Sequence, residues 1–195
     1  MAMSESGMSK AKNMRRVAPL LVSMVLASVS TPGWAQVGEY ELKAAFIGKF
    51  THFVRWPARP AQVFRLCTIG DNPFQGALED LVKLTPIDGR SAVFVDIHQP
   101  EEVKACDMLF ISTSERHNLA HIRRNLGNSP VLTVADTPGF AEQGVMINFV
   151  HQGGKVRFEI NPQAARAAGL QISARLLKLA IVVPPEAQAR NGVAP

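Results

Sequence analysis

Apolar and polar residues alternate along two segments near the C-terminal end of the sequence. These segments, residues 144–149 and 155–161, flank His151-Gln-Gly-Gly154, and each predicts a strand whose successive side chains point to opposite faces. The two glycines tolerate the positive φ angles of a tight turn, so the pair predicts a β-hairpin. Asn161-Pro162 then predicts a helix capped by Asn161, and Gly169 lies where that helix would end.

Residues 38–56 have helical periodicity on two faces and predict a helix that Pro57 closes. One stripe contains Leu42, Ala45, Phe46, Phe50 and Phe53, and the nearly opposite stripe contains Tyr40, Ala44, Ile47 and Val54. The three phenylalanines assign the first stripe to the core. The second stripe is then interpreted as a dimer or partner surface. An equally weighted alternative is that a terminal helix over residues 173–180 covers it.

Short β-branched or aromatic segments alternate with helical segments through the middle of the chain. Residues 64–70, 92–97, 108–112 and 131–135 predict strands, and residues 75–84 and 119–126 predict helices. This alternation indicates a single three-layer α/β domain. Its sheet is expected to be mixed but mostly parallel, with about six strands and helices on both faces. The C-terminal hairpin, followed by helices, completes the domain, and no internal repeat is visible.

The N-terminal 35 residues have the order of a signal peptide. Basic residues between Lys10 and Arg16 precede an apolar run over residues 17–29, which is too short to span a bilayer. Small residues around Trp34 predict cleavage before Gln36, and therefore Sec export to the periplasm. Twin-arginine export and an uncleaved membrane anchor are the alternatives. The domain is expected to extend over residues 36–183, followed by a disordered tail over residues 184–195.

Most of the net positive charge of the chain lies in this leader. The leader carries four Lys/Arg and one Glu, so its removal lowers the formal net charge from +5 to +2 and leaves 160 residues. One domain of this size can bury a substantial core. No Lys/Arg run with interleaved aromatic residues remains, so nucleic acid is not an expected partner.

The sequence contains no motif that predicts catalysis, a cofactor site or a metal site. The segment Gly70-Asp-Asn-Pro-Phe-Gln-Gly76 lacks the Gly-Lys-Ser/Thr of a phosphate-binding loop and is interpreted as a turn. His117 and His121 are four residues apart, but no zincin glutamate lies between them. A serine hydrolase is not indicated either, because no Gly-x-Ser-x-Gly nucleophile elbow surrounds the candidate residues Ser112, Ser114 and Asp107.

Charged residues on strands supply a second candidate surface. Arg90 precedes a predicted strand, while Arg157 and Glu159 alternate with apolar residues and leave the core face together. Arg–carboxylate pairing near a strand edge would orient a ligand or partner. A solvated surface is the alternative, because exposed ion pairs are common and weak.

Several ordered blocks of the sequence resemble the YfiR-like family of small periplasmic proteins. They are Tyr40-Glu-Leu-Lys-Ala-Ala-Phe46, Phe53-Val-Arg-Trp-Pro57, Gly70-Asp-Asn-Pro-Phe74, Val131-Leu-Thr-Val134 and the C-terminal segments described above. The resemblance covers roughly residues 39–183. It implies a binding repressor, not an enzyme. Such a repressor would hold the periplasmic region of an inner-membrane diguanylate cyclase and lower cyclic-di-GMP, with an outer-membrane lipoprotein able to sequester it.

Other functions and assemblies remain open from the residues themselves. A homodimer is one further option for the partner surface. A periplasmic domain that binds a small metabolite is the main alternative function, and an orphan hydrolase that uses His117 or His121 is the third.

Cys67 and Cys106 are the only two cysteines in the sequence. An oxidising compartment and an even count favour one disulfide, which the family resemblance also implies. Two separate buried thiols are the alternative, because Cys67 is late in its predicted strand whereas Cys106 precedes the next one. Related proteins also carry a second cysteine pair, but the corresponding region here has Ala141 and Asn148. Exchange between two bridges is therefore not expected.

Overall fold

A mixed seven-stranded sheet with helices on both faces forms the centre of the protein. The computed structural model describes residues 33–58, 63–84 and 86–184. The predicted leader lies almost wholly outside these ranges, as does the predicted tail from residue 185. Among the described residues, no helix combines the length and apolar content needed to cross a bilayer.

The elements follow one another in the order that the sequence periodicity predicted, with three short strands added at residues 54–55, 171–172 and 181–182. The helices are α1 (Gly33–Phe50), α2 (Ala77–Leu84), α3 (Leu119–Leu126), α4 (Pro162–Ala167) and α5 (Ala174–Leu177), with 3-10 turns at Pro100–Ala105 and Thr113–Glu115. The strands are β1 (Val54–Arg55), β2 (Val63–Ile69), β3 (Ser91–Ile97), β4 (Met108–Ile111), β5 (Leu132–Ala135), β6 (Ile147–Gln152), β7 (Lys155–Ile160), β8 (Gln171–Ile172) and β9 (Ile181–Val182).

The large sheet has the strand order β3-β2-β4-β5-β6-β7-β9. The pairings from β3 through β6 are parallel, β6 and β7 are antiparallel, and β9 runs parallel to β7. The expected mixed, mostly parallel architecture is therefore confirmed. The sheet has seven strands where about six were expected, because β9 was missed at its edge.

Side chains alternate between the two faces of the central strands, so the core consists of two clusters, one on each face of the sheet. Phe64 and Leu66 of β2 point into the first cluster, to which α1, α2, α4 and α5 all contribute buried residues. Cys67 and Ile69 face the opposite cluster, under α3 and the 3-10 turn at 100–105. Strands buried on both faces are typical of a parallel sheet covered by helices.

The C-terminal hairpin and helix cap form as their local sequence predicted. Gly153 and Gly154 have φ angles of 59° and 71° and join β6 to β7. The Asn161 side chain accepts a hydrogen bond from the Ala164 backbone amide, 3.0 Å away, and Pro162 occupies the first turn of α4.

The first helix is shorter at its C-terminal end than predicted. It ends at Phe50 instead of Trp56, and the Thr51 hydroxyl donates to the carbonyl of Gly48, 2.6 Å away. Val54 and Arg55 then form β1, which pairs with β8 in a separate two-stranded sheet. Pro57 disfavours helical geometry at Trp56, and the long-range pairing with β8 gives these residues an extended alternative.

Candidate functional site

A buried charge network joins α1 to the carboxyl ends of the central parallel strands. Thr113 follows β4, and Asp136 follows β5. The Tyr40 hydroxyl and the Lys43 ammonium both donate to Oδ2 of Asp136, at 2.7 and 2.8 Å. The Thr113 hydroxyl lies 3.5 Å from Oδ1 of Asp136 and 2.8 Å from the Thr137 hydroxyl. Asp136 therefore connects α1 to two neighbouring strand ends.

The network continues outward from Lys43 to the β6 end of the hairpin. Lys43 lies 2.6 Å from one Glu39 oxygen, and the other Glu39 oxygen lies 3.2 Å from Nε2 of His151. The side chains of Lys43 and Asp136 are only 3% and 5% exposed. The ammonium also lies 4.3 Å from the centroid of the Tyr40 ring, which adds a cation–π contact. Both buried charges are thus paired.

The environment shifts the pKa of two groups in this network. Burial, followed by the hydrogen bond to Asp136 and its negative charge, raises the pKa of the Tyr40 hydroxyl far above its usual value. Partial burial alone would raise the pKa of Glu39. The hydrogen bond and charge of Lys43, together with His151, outweigh it and hold that pKa below its usual value. The network therefore favours a neutral Tyr40 hydroxyl and a charged Glu39 carboxylate.

Sequence reasoning named Tyr40 but missed Lys43, Asp136, Glu39 and His151. The sequence feature that could have indicated the network is Lys43, a lone cation beside the apolar stripe that contains Tyr40 and Ala44. Its partner could not be recognised from the sequence, because Asp136 follows Lys43 by 93 residues.

Both apolar stripes of α1 contribute to the core, because Phe50 of the first stripe is 1% exposed and Phe46 and Phe53 pack against the same core cluster. Ala44, Ile47 and Val54 are 4%, 1% and 6% exposed and belong to the core, so they line no exposed surface of the folded domain. Leu42, assigned to the core, is 45% exposed. The bonds from Tyr40 and Lys43 to Asp136 orient the helix, since they turn the Tyr40 side inward.

Arg90 belongs to a second buried pair, near the amino ends of the strands. Its guanidinium lies 3.2 Å from Oδ1 of Asp107 and 3.4 Å from a carboxylate oxygen of Asp88. Its side chain is 14% exposed and lies over the Phe64 ring. Trp56 donates from its indole nitrogen to the Asp107 carbonyl, 3.1 Å away. The interpretation of Arg90 as part of an open ligand or partner surface is therefore corrected: it serves an internal ion pair.

Arg157 and Glu159 share one face of β7, as predicted, but their side-chain environments differ. Glu159 accepts a hydrogen bond from the Asn148 side chain on β6, 3.2 Å away. Arg157 is exposed, and no ion pair of its side chain is present within the described ranges. The structure brings neither residue to Arg90 or Tyr40. A partner role for this pair stays a prediction.

Cys67 and Cys106 form a disulfide, with an S–S distance of 1.99 Å and a Cα–Cα distance of 6.0 Å. The prediction of one bridge is confirmed. The expected offset is present, because Cys67 lies opposite Leu109 in the β2–β4 pairing. Cys106 still reaches Cys67, because it lies outside β4, directly after the 3-10 turn at 100–105. That turn packs over the sheet face to which Cys67 points, and both cysteines are fully buried there.

The catalytic and metal-binding alternatives gain no support from side-chain placement. His117 is exposed, and His121 lies 3.7 Å from a Glu101 oxygen. Within the described part of the chain, neither histidine hydrogen-bonds to a serine. In the same part, no group of three His, Cys, Asp or Glu side chains is arranged to hold a metal ion.

The fold and the charge network define a helix-anchored three-layer α/β domain with one disulfide. The family model described as YfiR/HmsC-like matches residues 40–181, and the chain belongs to this family. Its members are periplasmic regulators of diguanylate cyclases. The sequence resemblance is thus confirmed. No curated protein gives a significant match.

Two solved structures are similar to this chain at low sequence identity. The ABC domain from Streptococcus pneumonia in complex with L-Trp has 10% identity and a TM-score of 0.51, and a conserved domain protein from Vibrio cholerae has 12% identity and a TM-score of 0.49. Each alignment covers 74% of this chain but only 60% of the other chain. The chain thus spans less than two thirds of either protein, and the first similarity concerns the fold alone.

Proposed function

We propose that this chain is a periplasmic repressor that binds the periplasmic sensor region of a membrane diguanylate cyclase and lowers cyclic-di-GMP. The family match over residues 40–181 is the observation that supports it. In this proposal the leader directs Sec export and is cleaved before Gln36. An outer-membrane lipoprotein that sequesters the repressor would release the cyclase.

The site geometry favours a protein-binding role over chemistry inside the sheet. In open α/β sheets, ligands usually bind outside the carboxyl ends of the strands. Here Tyr40 and Lys43 contact Asp136 at those ends, and the charged side chains are almost fully buried. Because helix α1 occupies this position, binding is expected to use the outer surfaces of the domain.

A small-molecule binding module is the second candidate function, and a cavity favours it. The cavity is about 110 Å³ and lies between α3, α4 and the sheet, where Arg123, Asn128, Ser129 and Thr133 offer polar groups. Ligand pockets usually exceed roughly 300 Å³, so this cavity has room only for a small molecule. The L-Trp held by the Streptococcus domain belongs to that protein and makes amino acids reasonable first probes here.

Co-purification and thermal shift separate the two functions. Tagged mature protein is mixed with detergent-solubilised inner membranes of its own host, and the bound proteins are identified. The repressor proposal predicts specific retention of a membrane protein with a diguanylate cyclase domain, and no stabilisation by a panel of amino acids and small carboxylates. Stabilisation by a metabolite without retention of any cyclase would favour the second function and contradict the first.

A further inference from the structure

Strand β3 forms one edge of the large sheet, and its outward side is open. All seven of its residues, Ser91–Ile97, pair in register with β2. Among the described residues, no strand lies on its other side, and its backbone makes no hydrogen bond outside the β2–β3 pairing. An edge strand with unpaired N–H and C=O groups is a template for the addition of another strand.

The opposite edge of the sheet has the features that normally block such pairing. Strand β9 has only two residues, Ile181–Val182, and Pro184 follows shortly after it. Short edge strands and prolines both prevent the addition of a further strand. Strand β3 has neither feature, and its pairing with β2 contains no bulge. The two edges of the sheet therefore differ in their capacity to accept a strand.

The side chains of β3 make this edge apolar on one face. Val93 is 40% exposed, and Val95, on the same face, is half-buried. A β-branched side chain in an added strand would cover Val93, because cross-strand neighbours on one face pack side by side. The strand is about 23 Å long. The edge therefore has room for an extended segment of about seven residues.

Acidic residues surround the β3 edge. Asp96 lies on β3 itself, where Oδ1 accepts a hydrogen bond from the Thr68 hydroxyl while the side chain remains exposed. Helix α2 and the 3-10 turn at 100–105 both contact β3. These three elements together carry five carboxylates and two lysines: Glu79, Asp80, Asp96, Glu101, Glu102, Lys83 and Lys104. Because the carboxylates outnumber the lysines, the electrostatic potential at the edge favours a basic segment.

We propose that β3 binds an extended, basic segment of a partner protein, which joins the sheet as a further strand. Backbone hydrogen bonds along β3 supply the affinity, while Val93 and Asp96 select a segment in which β-branched and basic side chains alternate. A second copy of this chain does not have this chemistry at β3, because two such edges would bring their acidic surroundings together. Strand addition at β3 does not rest on the repressor function, since it requires only a segment of this composition.

Three designed peptides test the proposed chemistry on the mature chain. The probe is a seven-residue peptide with blocked termini in which lysine and valine alternate. One control has proline in place of the central valine, so it keeps the charge but cannot pair along its whole length. The other control has glutamate in place of every lysine. By fluorescence anisotropy at physiological salt, the probe should bind with a Kd of about 0.1–1 mM, and both controls should bind about tenfold more weakly or less.

Variants and hydrogen exchange then locate the bound peptide. Val93→Lys adds a cation beside the basic probe, and Asp96→Asn removes a negative charge but keeps an acceptor for the Thr68 hydroxyl. Each change should raise the Kd about threefold or more. Val182→Lys, at an exposed valine of the opposite edge, is the matched control and should bind like wild type. The probe should slow amide hydrogen exchange in β3 and leave exchange in β9 unchanged.

Several results would overturn the proposal. Equal binding of the proline-containing peptide would show adsorption by charge without strand addition, and equal binding of the glutamate peptide would show that the edge does not select basic residues. Slowed exchange outside β3 alone would place the peptide on another surface. Protection of β3 that rises with protein concentration in the absence of peptide would identify a second copy as the occupant. Because no cyclase is present in these measurements, their failure leaves the repressor function untouched, and a failure of that function leaves them valid.

Discussion

Removal of the Lys43 ammonium tests whether the buried charge network maintains the position of α1. In Lys43→Met the side chain keeps a similar length but no longer pairs with Asp136 and Glu39. Asp136 retains the Tyr40 hydroxyl, 2.7 Å away. Its negative charge, however, is then buried without a nearby cation.

The expected loss of unfolding free energy in Lys43→Met follows from the burial of the Lys43–Asp136 ion pair. Breaking a buried ion pair by removal of one partner typically costs 3–5 kcal/mol, because the remaining charge is uncompensated. Tyr40 and Thr113 partly compensate Asp136, so the lower end of that range is expected, about 3 kcal/mol. For a domain of this size, such a loss lowers Tm by roughly 6–12 °C.

Urea unfolding of the mature domain, followed by circular dichroism, measures this loss. Lys83→Met is the matched control, because Lys83 pairs with Asp80 at 3.1 Å but both side chains are about 70% exposed. Its effect should stay within about 0.5 kcal/mol. If Lys43→Met costs less than about 1 kcal/mol, the ion pair does not anchor α1 and the reasoning fails.

Three further predictions concern the bridge, the tyrosine and one glycine. The double variant Cys67→Ser, Cys106→Ser should lose about 2–4 kcal/mol of unfolding free energy, and wild type in reductant should melt at the same lowered temperature. Tyr40 is the only tyrosine, so phenolate absorbance should appear near pH 10 in denaturant but only at higher pH in the folded domain. Because the pKa of Tyr40 is raised in the folded domain, the protonated Tyr40 hydroxyl contributes its full stabilisation below about pH 10, and this contribution falls at higher pH. Tyr40→Phe should remove that fall in stability. Gly70→Ala, at φ 86°, would place its Cβ against the Ser114 hydroxyl and 2.8 Å from the Glu115 Cγ, so it should cost about 2–3 kcal/mol by urea unfolding. Gly153→Ala, at φ 59°, meets no neighbour and should cost about 1 kcal/mol. A normal phenolate titration in the folded domain, or equal losses for the two alanine variants, would contradict these accounts.

Local patterns predicted much of the fold because their information is short-range. The β6–β7 turn depends on Gly153 and Gly154, and the α4 cap depends on Asn161 and a backbone amide three residues later. The strands of the mostly parallel sheet were visible as short β-branched segments. These features require little knowledge of the rest of the chain.

The orientation of α1 could not be predicted in the same way. The helix has apolar residues on more than one side, so periodicity alone does not decide which side faces the sheet. The deciding contact joins Lys43 to Asp136, 93 residues away. Likewise, Val54 leaves the helix to pair with Ile172, and Arg90 turns inward to Asp107. Each of these results depends on partners that only the folded chain brings together.

Cellular cyclic-di-GMP in a clean deletion tests the proposed function most directly. The measurement uses wild type, the deletion and the deletion complemented with the full-length chain, under conditions where the protein is detected in the periplasm. The repressor function predicts a higher cyclic-di-GMP level and more attachment in the deletion, with complementation returning both to wild type. An unchanged cyclic-di-GMP level in the deletion would contradict the repressor function.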